Sequence, residues 1–254
     1  MYKLILPLFI ACSFFQCNPE PDPNTGTLEL VFKSSFNGSP LVLYQKDSTN
    51  VSDPTTITFK KLDFFVSDIK IQDSSNEWQY IKDAGYVSMA NNLSLDAASE
   101  GYSMTINEVP IGDYEGLEIG IGLSDQVNAT LPGDYSSSSP LGLNANYWAS
   151  WDSYILCKIE GDIEQSNASV SGFLYHAGVN GMHQIRNYSP SFSIGSNANT
   201  QIVFEIKAEE LFFKTGSSID LINDNQTHSG QSGSDAYNLA LKAIQNLSNS
   251  IYIP

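Results

Sequence analysis

Apolar residues along this chain recur at every second position far more often than at every third or fourth. In residues 27–33, Leu28, Leu30 and Phe32 share one face and Glu29 and Lys33 the other, which predicts a half-buried strand. Residues 57–71 (ITFKKLDFFVSDIKI) predict a long strand with a bend, and residues 78–82 its hairpin partner across the polar turn 73–77. Further strands are expected at 102–109, 114–123, 154–159, 170–176 and 200–207. In the segment YEGLEIGIGL, Leu117, Ile119, Ile121 and Leu123 line one face. Gly116, Gly120 and Gly122 leave the other nearly bare, with room for a neighbouring backbone or a large ring. A helical period shows in two places. Residues 209–214 make a turn or two, and residues 234–249 place Tyr237, Leu241, Ile244 and Leu247 at spacings of three and four behind Ser234 as N-cap. Many short strands between turn signals predict an all-β fold, an antiparallel β-sandwich with one C-terminal helix and short helical turns. No repeat or second linker divides residues 27–254, which read as one domain with the loop-like residues 133–143 (GDYSSSSPLGL) as an insertion.

The first residues break this alternation. An apolar run from Leu4 to Phe15, too short to span a bilayer, follows Lys3, and two cysteines, Cys12 and Cys17, lie at its end, as in a secretory signal. The stretch NPEPDPNTG that follows is polar and proline-rich, suited to a tether. Together they resemble a bacterial lipoprotein signal, with residues 1–16 as the signal peptide, 17–26 as the tether and Cys17 as the lipidated residue. Cys12 is the alternative. It has the small Ala11 before it but would leave Phe14 and Phe15 in the tether. Acyl chains on Cys17 would anchor the protein to a membrane of the bacterial cell envelope, facing the periplasm or on the outer-membrane surface.

Charge narrows the partners. Against 12 Lys and Arg stand 28 Asp and Glu, a net charge of −16 that repels nucleic acid. There is no Walker loop, no GxGxxG, no HExxH, no GxSxG and no CxxC, and so the expectation is a protein that is not an enzyme. Cys157 lies on an apolar strand and reads as a small core residue. The three histidines are His176 at a strand end, His183 seven residues on, and His228 in a polar loop before the last helix. With carboxylates plentiful, they allow a mixed imidazole and carboxylate metal site.

Residues 146–162, NYWASWDSYILCKIEGD, hold Trp148 and Trp151 beside a strand on which alternation puts Glu160 on a different face from Cys157 and Ile159. The indoles admit two readings, a functional site or large rings filling the bare glycine face of residues 114–123.

The order LDFFVSDIKI (62–71), VPIGDYEGLEIGIGL (109–123), Asn128, NYWASWDSYILCKIEG (146–161), FLYHAGV (173–179) and TH (227–228) resembles the MbnP-like family over nearly the whole mature chain. The resemblance implies an exported β-sandwich that binds or handles copper. It also implies, for some members, a di-haem peroxidase-like partner that oxidises a tryptophan to kynurenine. Carried over by position, His176 and His228 are the matched histidines and expected metal ligands, and Trp148 and Trp151 the matched tryptophans and expected redox aromatics; His183 or Glu160 would serve as auxiliary ligands. The chain departs from better-known members in lacking their cysteine pairs and in carrying Ala129 where they have His. The alternative is a lipid-anchored surface β-sandwich binding module, in which Tyr147, Trp148 and Trp151 would stack on a glycan or meet a partner protein.

Overall fold

The longest strand, Thr55–Asp73, organises the molecule. Along one edge it pairs antiparallel with Trp78–Ser88. Along the other it changes neighbour, pairing with Cys157–Gln165 over its first half and with Gly112–Ile121 over its second. The exchange happens at Phe65, whose N–H donates to the Leu156 carbonyl (2.9 Å) and whose carbonyl accepts from Gly122 N–H (2.8 Å). The bend expected from the sequence falls at Asp68, which takes φ 51° just before the register slips, by Lys70, against both neighbours. The computed structural model describes residues 24–49, 55–165 and 170–254. The expected signal peptide, Cys12 and Cys17 lie outside the described residues. Thr25 and Gly26, read above as tether, already belong to the first strand.

Ser171–Ala177, Gln226–Thr227, Gln184–Tyr188, Phe192–Ile194 and Lys46–Ser48 complete a nine-stranded sheet. A second sheet of five strands places Thr25–Phe36 between Asn199–Lys207 and Tyr102–Pro110, with Ile251–Tyr252 and Ser39–Pro40 as short additions. The expected purely antiparallel pairing needs correction, because both sheets are mixed. Thr25–Phe36 runs parallel to Asn199–Lys207, and Ser171–Ala177 parallel to Gln226–Thr227. Alternation is the same in either orientation, so the pattern carried no signal for it.

The two sheets share one core. Phe32 of the smaller meets Phe64 of the larger edge-on at 6.0 Å, and Phe36 meets Phe59 at the same distance. All four rings are buried, each contributing roughly 1.5–3 kcal/mol by leaving water. The helix Asp235–Ser250 begins where Ser234 Oγ accepts from Tyr237 N–H at 3.2 Å. It presses Ala240, Ala243, Ile244 and Leu247 into this core and ends as the chain extends into Ile251–Tyr252. Short helices at Asp125–Asn128 and Glu210–Phe213, and 3-10 turns at Pro132–Asp134, Pro140–Gly142 and Asn144–Asn146, join the strands. Leu95–Glu100, a further short helix, has Ser94 as its cap and was not expected.

The bare glycine face is filled, but not by the expected rings. Gln72 and Trp78 lie over Gly116, and the His183 imidazole lies over Gly120. Trp148 and Trp151 are elsewhere.

Candidate metal centre

Register places four polar residues in one row across four strands of the larger sheet. Ser88 pairs with Asp63, Asp63 with Lys158, and Lys158 with His176. Alternation turns this row away from Phe64 and Cys157, which face the core. Glu160, two residues on from Lys158, joins it on the same face, as alternation predicted.

His176 is 8% exposed at the end of Ser171–Ala177. Its Nε2 lies 2.9 Å from Glu160 Oε1, and Lys61 Nζ approaches the same carboxylate oxygen at 3.7 Å. A carboxylate only accepts, so Nε2 carries the proton and Nδ1 keeps its lone pair. That Nδ1 is buried without a hydrogen-bond partner. Burial pushes the His176 pKa below the usual imidazole range, against the opposing pull of Glu160, and so favours the neutral ring a metal requires.

Two loops close on this ring, and a buried asparagine ties the first in place. The first is a small hairpin in which Tyr147–Trp148 pairs with Ser153–Tyr154. Its turn carries Trp151, whose backbone N–H donates to the Trp148 carbonyl at 2.9 Å, and Asp152 at φ 49°. The two indoles stack at 4.9 Å and 13°, each covering one face of the other. Trp148 also meets the His176 ring at 6.4 Å and the His228 ring at 5.4 Å. The benzo ring of Trp151 lies against Gly178, where a Cβ would come within 2.5 Å of it.

The second loop brings His228. Gly230 N–H returns to the His228 carbonyl at 2.9 Å, a tight turn with Ser229 at φ 64°. Ser229 is fully buried. Its Oγ accepts from Gly178 N–H (2.7 Å) and donates to the His176 carbonyl (3.0 Å), tying the two histidine segments together. The His228 ring then stands 5.4 Å from that of His176 at 85°.

The third contributor is Asn128, buried at the end of Asp125–Asn128. Its Nδ2 donates to the Gly178 carbonyl (3.0 Å) and to Asn180 Oδ1 (2.9 Å), and its Oδ1 accepts from Tyr154 N–H (2.9 Å). One side chain thus joins the tryptophan hairpin to the segment after His176. Neither this role nor that of Ser229 could be read from the sequence, because both act through backbone groups brought together by the fold.

The structure therefore brings together His176, His228, Glu160, Trp148 and Trp151. It does not bring His183, whose Nε2 lies 3.1 Å from Ser67 Oγ and 3.5 Å from Asp68 Oδ2, over Gly120. Cys157 is fully buried, and its thiol is pushed up to about 12, as suits a core residue. Beside the centre, Ala129, Trp151, Ser153 and Asn180 line a cavity of about 540 Å³ that no histidine borders.

Two imidazoles sharing one first-row ion, each nitrogen at about 2 Å, bring their ring centres to roughly 5–6 Å. The observed 5.4 Å separation and the free, buried Nδ1 fit that arrangement. Among the described residues, no group of three or more His, Cys, Asp and Glu side chains is placed to hold an ion. Two imidazoles are an incomplete set for zinc, which prefers four ligands, and imidazole also suits copper.

A family model described as MbnP matches residues 25–232. Among solved structures, MbnP from Methylosinus trichosporium matches with a TM-score of 0.50 at 14% identity, over 83% of each chain, which shows a shared fold. No curated protein matches the chain.

Proposed function

Since the chain belongs to the MbnP family, we propose that it binds or handles copper, held by the imidazoles of His176 and His228. The observation that carries this reading is the His176 Nδ1, buried, unpartnered and backed by a carboxylate on the opposite nitrogen. A carboxylate–histidine pair of this kind fixes the tautomer and makes the free nitrogen a better donor. Glu160 is then an orienting group rather than a ligand. His183, engaged with Ser67 and Asp68, is no part of this centre.

Copper, when bound, supplies one-electron redox chemistry next to an electron-rich aromatic pair. Of the two indoles, Trp148 touches both imidazoles and is the residue we assign to any oxidative modification by a di-haem peroxidase-like partner. Trp151 backs it.

The rest of the reading follows the sequence. The protein is exported, lipid-anchored through Cys17 in the bacterial cell envelope, built as a β-sandwich with mixed sheets, and acts by binding rather than catalysis. The glycan module is the weaker alternative, because stacking removes one face of each indole from any sugar.

A copper titration of the purified protein tests the proposal. Retained copper that is lost on His176→Ala and His228→Ala supports it. No retained copper in the wild type removes it. A di-haem peroxidase gene beside this one would add support for the partner.

A further inference from the structure

Lys158 is 9% exposed, and burial pushes its amine below the usual lysine range. Its register neighbours on the two adjacent strands are Asp63 and His176. Neither takes its protons. Asp63 is engaged by Ser88 Oγ at 2.7 Å and by Tyr86 Oη at 3.5 Å. The Lys158 Nζ reaches past them to the 3-10 turn Asn144–Asn146, donating to the Ala145 carbonyl (2.8 Å) and to Asn146 Oδ1 (3.2 Å).

That turn is the near end of the tryptophan hairpin. Asn146 is buried and directly precedes Tyr147–Trp148, and its carbonyl accepts from Ile155 N–H at 2.8 Å, closing the loop that contains both indoles. The hairpin is thus tethered at Asn146 by Lys158 and at Tyr154 by Asn128. A buried ammonium is costly unless its donors are used. Here both hydrogen bonds go to one short turn, and the lysine grows from the same face as Glu160 and beside His176.

We propose that Lys158 is a positioning residue of the candidate centre. Its ammonium fixes the Asn144–Asn146 turn and thereby sets where Trp148 and Trp151 stack against His176 and His228. The inference needs the arrangement of side chains, not the metal. It survives if copper is not the ligand.

The test is the far-UV circular dichroism signature of the coupled indoles, defined as the part of the wild-type spectrum that disappears in Trp148→Phe. Lys158→Met keeps the length and loses the charge, and Lys60→Met, which removes an exposed lysine paired with Asp162, serves as control. Lys158→Met is expected to fold, shown by its thermal transition, and to lose most of the signature, while Lys60→Met keeps it. Copper retention, if the wild type has it, should weaken roughly 10- to 100-fold in Lys158→Met, as for groups that support metal ligands. Should Lys158→Met not fold, Asn146→Ala decides, since it removes one of the two acceptors and leaves the lysine in place. A folded variant with the wild-type signature overturns the proposal whatever happens to copper. A wild type lacking the signature would overturn the stacked geometry and the proposal with it.

Discussion

His176 and Glu160 meet at 2.9 Å through Nε2 and Oε1, and this one contact settles which histidine nitrogen is free. Replacing Glu160 with Gln leaves a side chain that can still reach the ring but carries no charge to hold the proton on Nε2. Copper affinity, measured by competition with a chelator of known strength, should fall roughly 10- to 100-fold in Glu160→Gln. His176→Ala should abolish retention. Equal affinities in wild type and Glu160→Gln would show that the carboxylate does not orient the ligand.

Acid should loosen the fold through the histidines. In both His176 and His183, burial lowers the pKa of the folded state below the unfolded value, about 6.5. Below that value the unfolded chain binds protons that the folded one refuses, so stability falls as pH drops. It is intact above about pH 6.5 and lost as pH falls through the folded values. Denaturant unfolding between pH 8 and pH 5 should show this slope, and a smaller one in His176→Gln. A slope unchanged in that variant would remove His176 from the account.

Asn128 should matter to stability more than its place in a four-residue helix suggests. It is 1% exposed and makes three hydrogen bonds to two segments. Asn128→Ala leaves Tyr154 N–H and the Gly178 carbonyl without this partner and should cost about 2–4 kcal/mol, summing typical losses for buried groups. Asn128→Asp can still accept from Tyr154 but cannot donate to Gly178, so it should not rescue. Thermal unfolding of the two variants checks both statements.

Cys157 should be unreactive in the folded protein. It is fully buried, and its thiol is pushed up to about 12, leaving little thiolate at pH 8. Alkylation followed by mass spectrometry of the Cys157 peptide should show no label before unfolding and full label after it. Rapid labelling of the native chain would contradict the burial.

Much of the fold was legible because alternation writes strands directly. The expected 57–71 and 200–207 became Thr55–Asp73 and Asn199–Lys207, and Ser234 caps the last helix as read. What alternation cannot write is partnership. The parallel pairing of Thr25–Phe36 with Asn199–Lys207 joins segments about 170 residues apart and leaves no local mark. His183 shows the same limit at the site. Seven residues separate it from His176, yet the next strand, Gln184–Tyr188, pairs with Gly112–Ile121, on the other side of the exchange at Phe65. Closeness in sequence therefore does not say which histidines meet. His176 and His228, 52 positions apart, do so because Gln226–Thr227 adds a short parallel strand beside Leu174 and Tyr175.

The exchange of neighbours at Phe65 also sets a timescale for the centre. The amides of Phe65 and Gly122 join three strands at one fully buried point and should be among the last to exchange with deuterated solvent. His176 stands on the strand that pairs with Cys157–Gln165, within this slow unit, whereas Trp148 and Trp151 sit on the small hairpin and His228 on a turn at its margin. The two imidazoles are thus held differently, one by a strand of the slow unit and the other by a turn that Ser229 ties to it. Amide exchange should therefore be slower at His176 than at His228, a gradient of lifetimes across 5.4 Å.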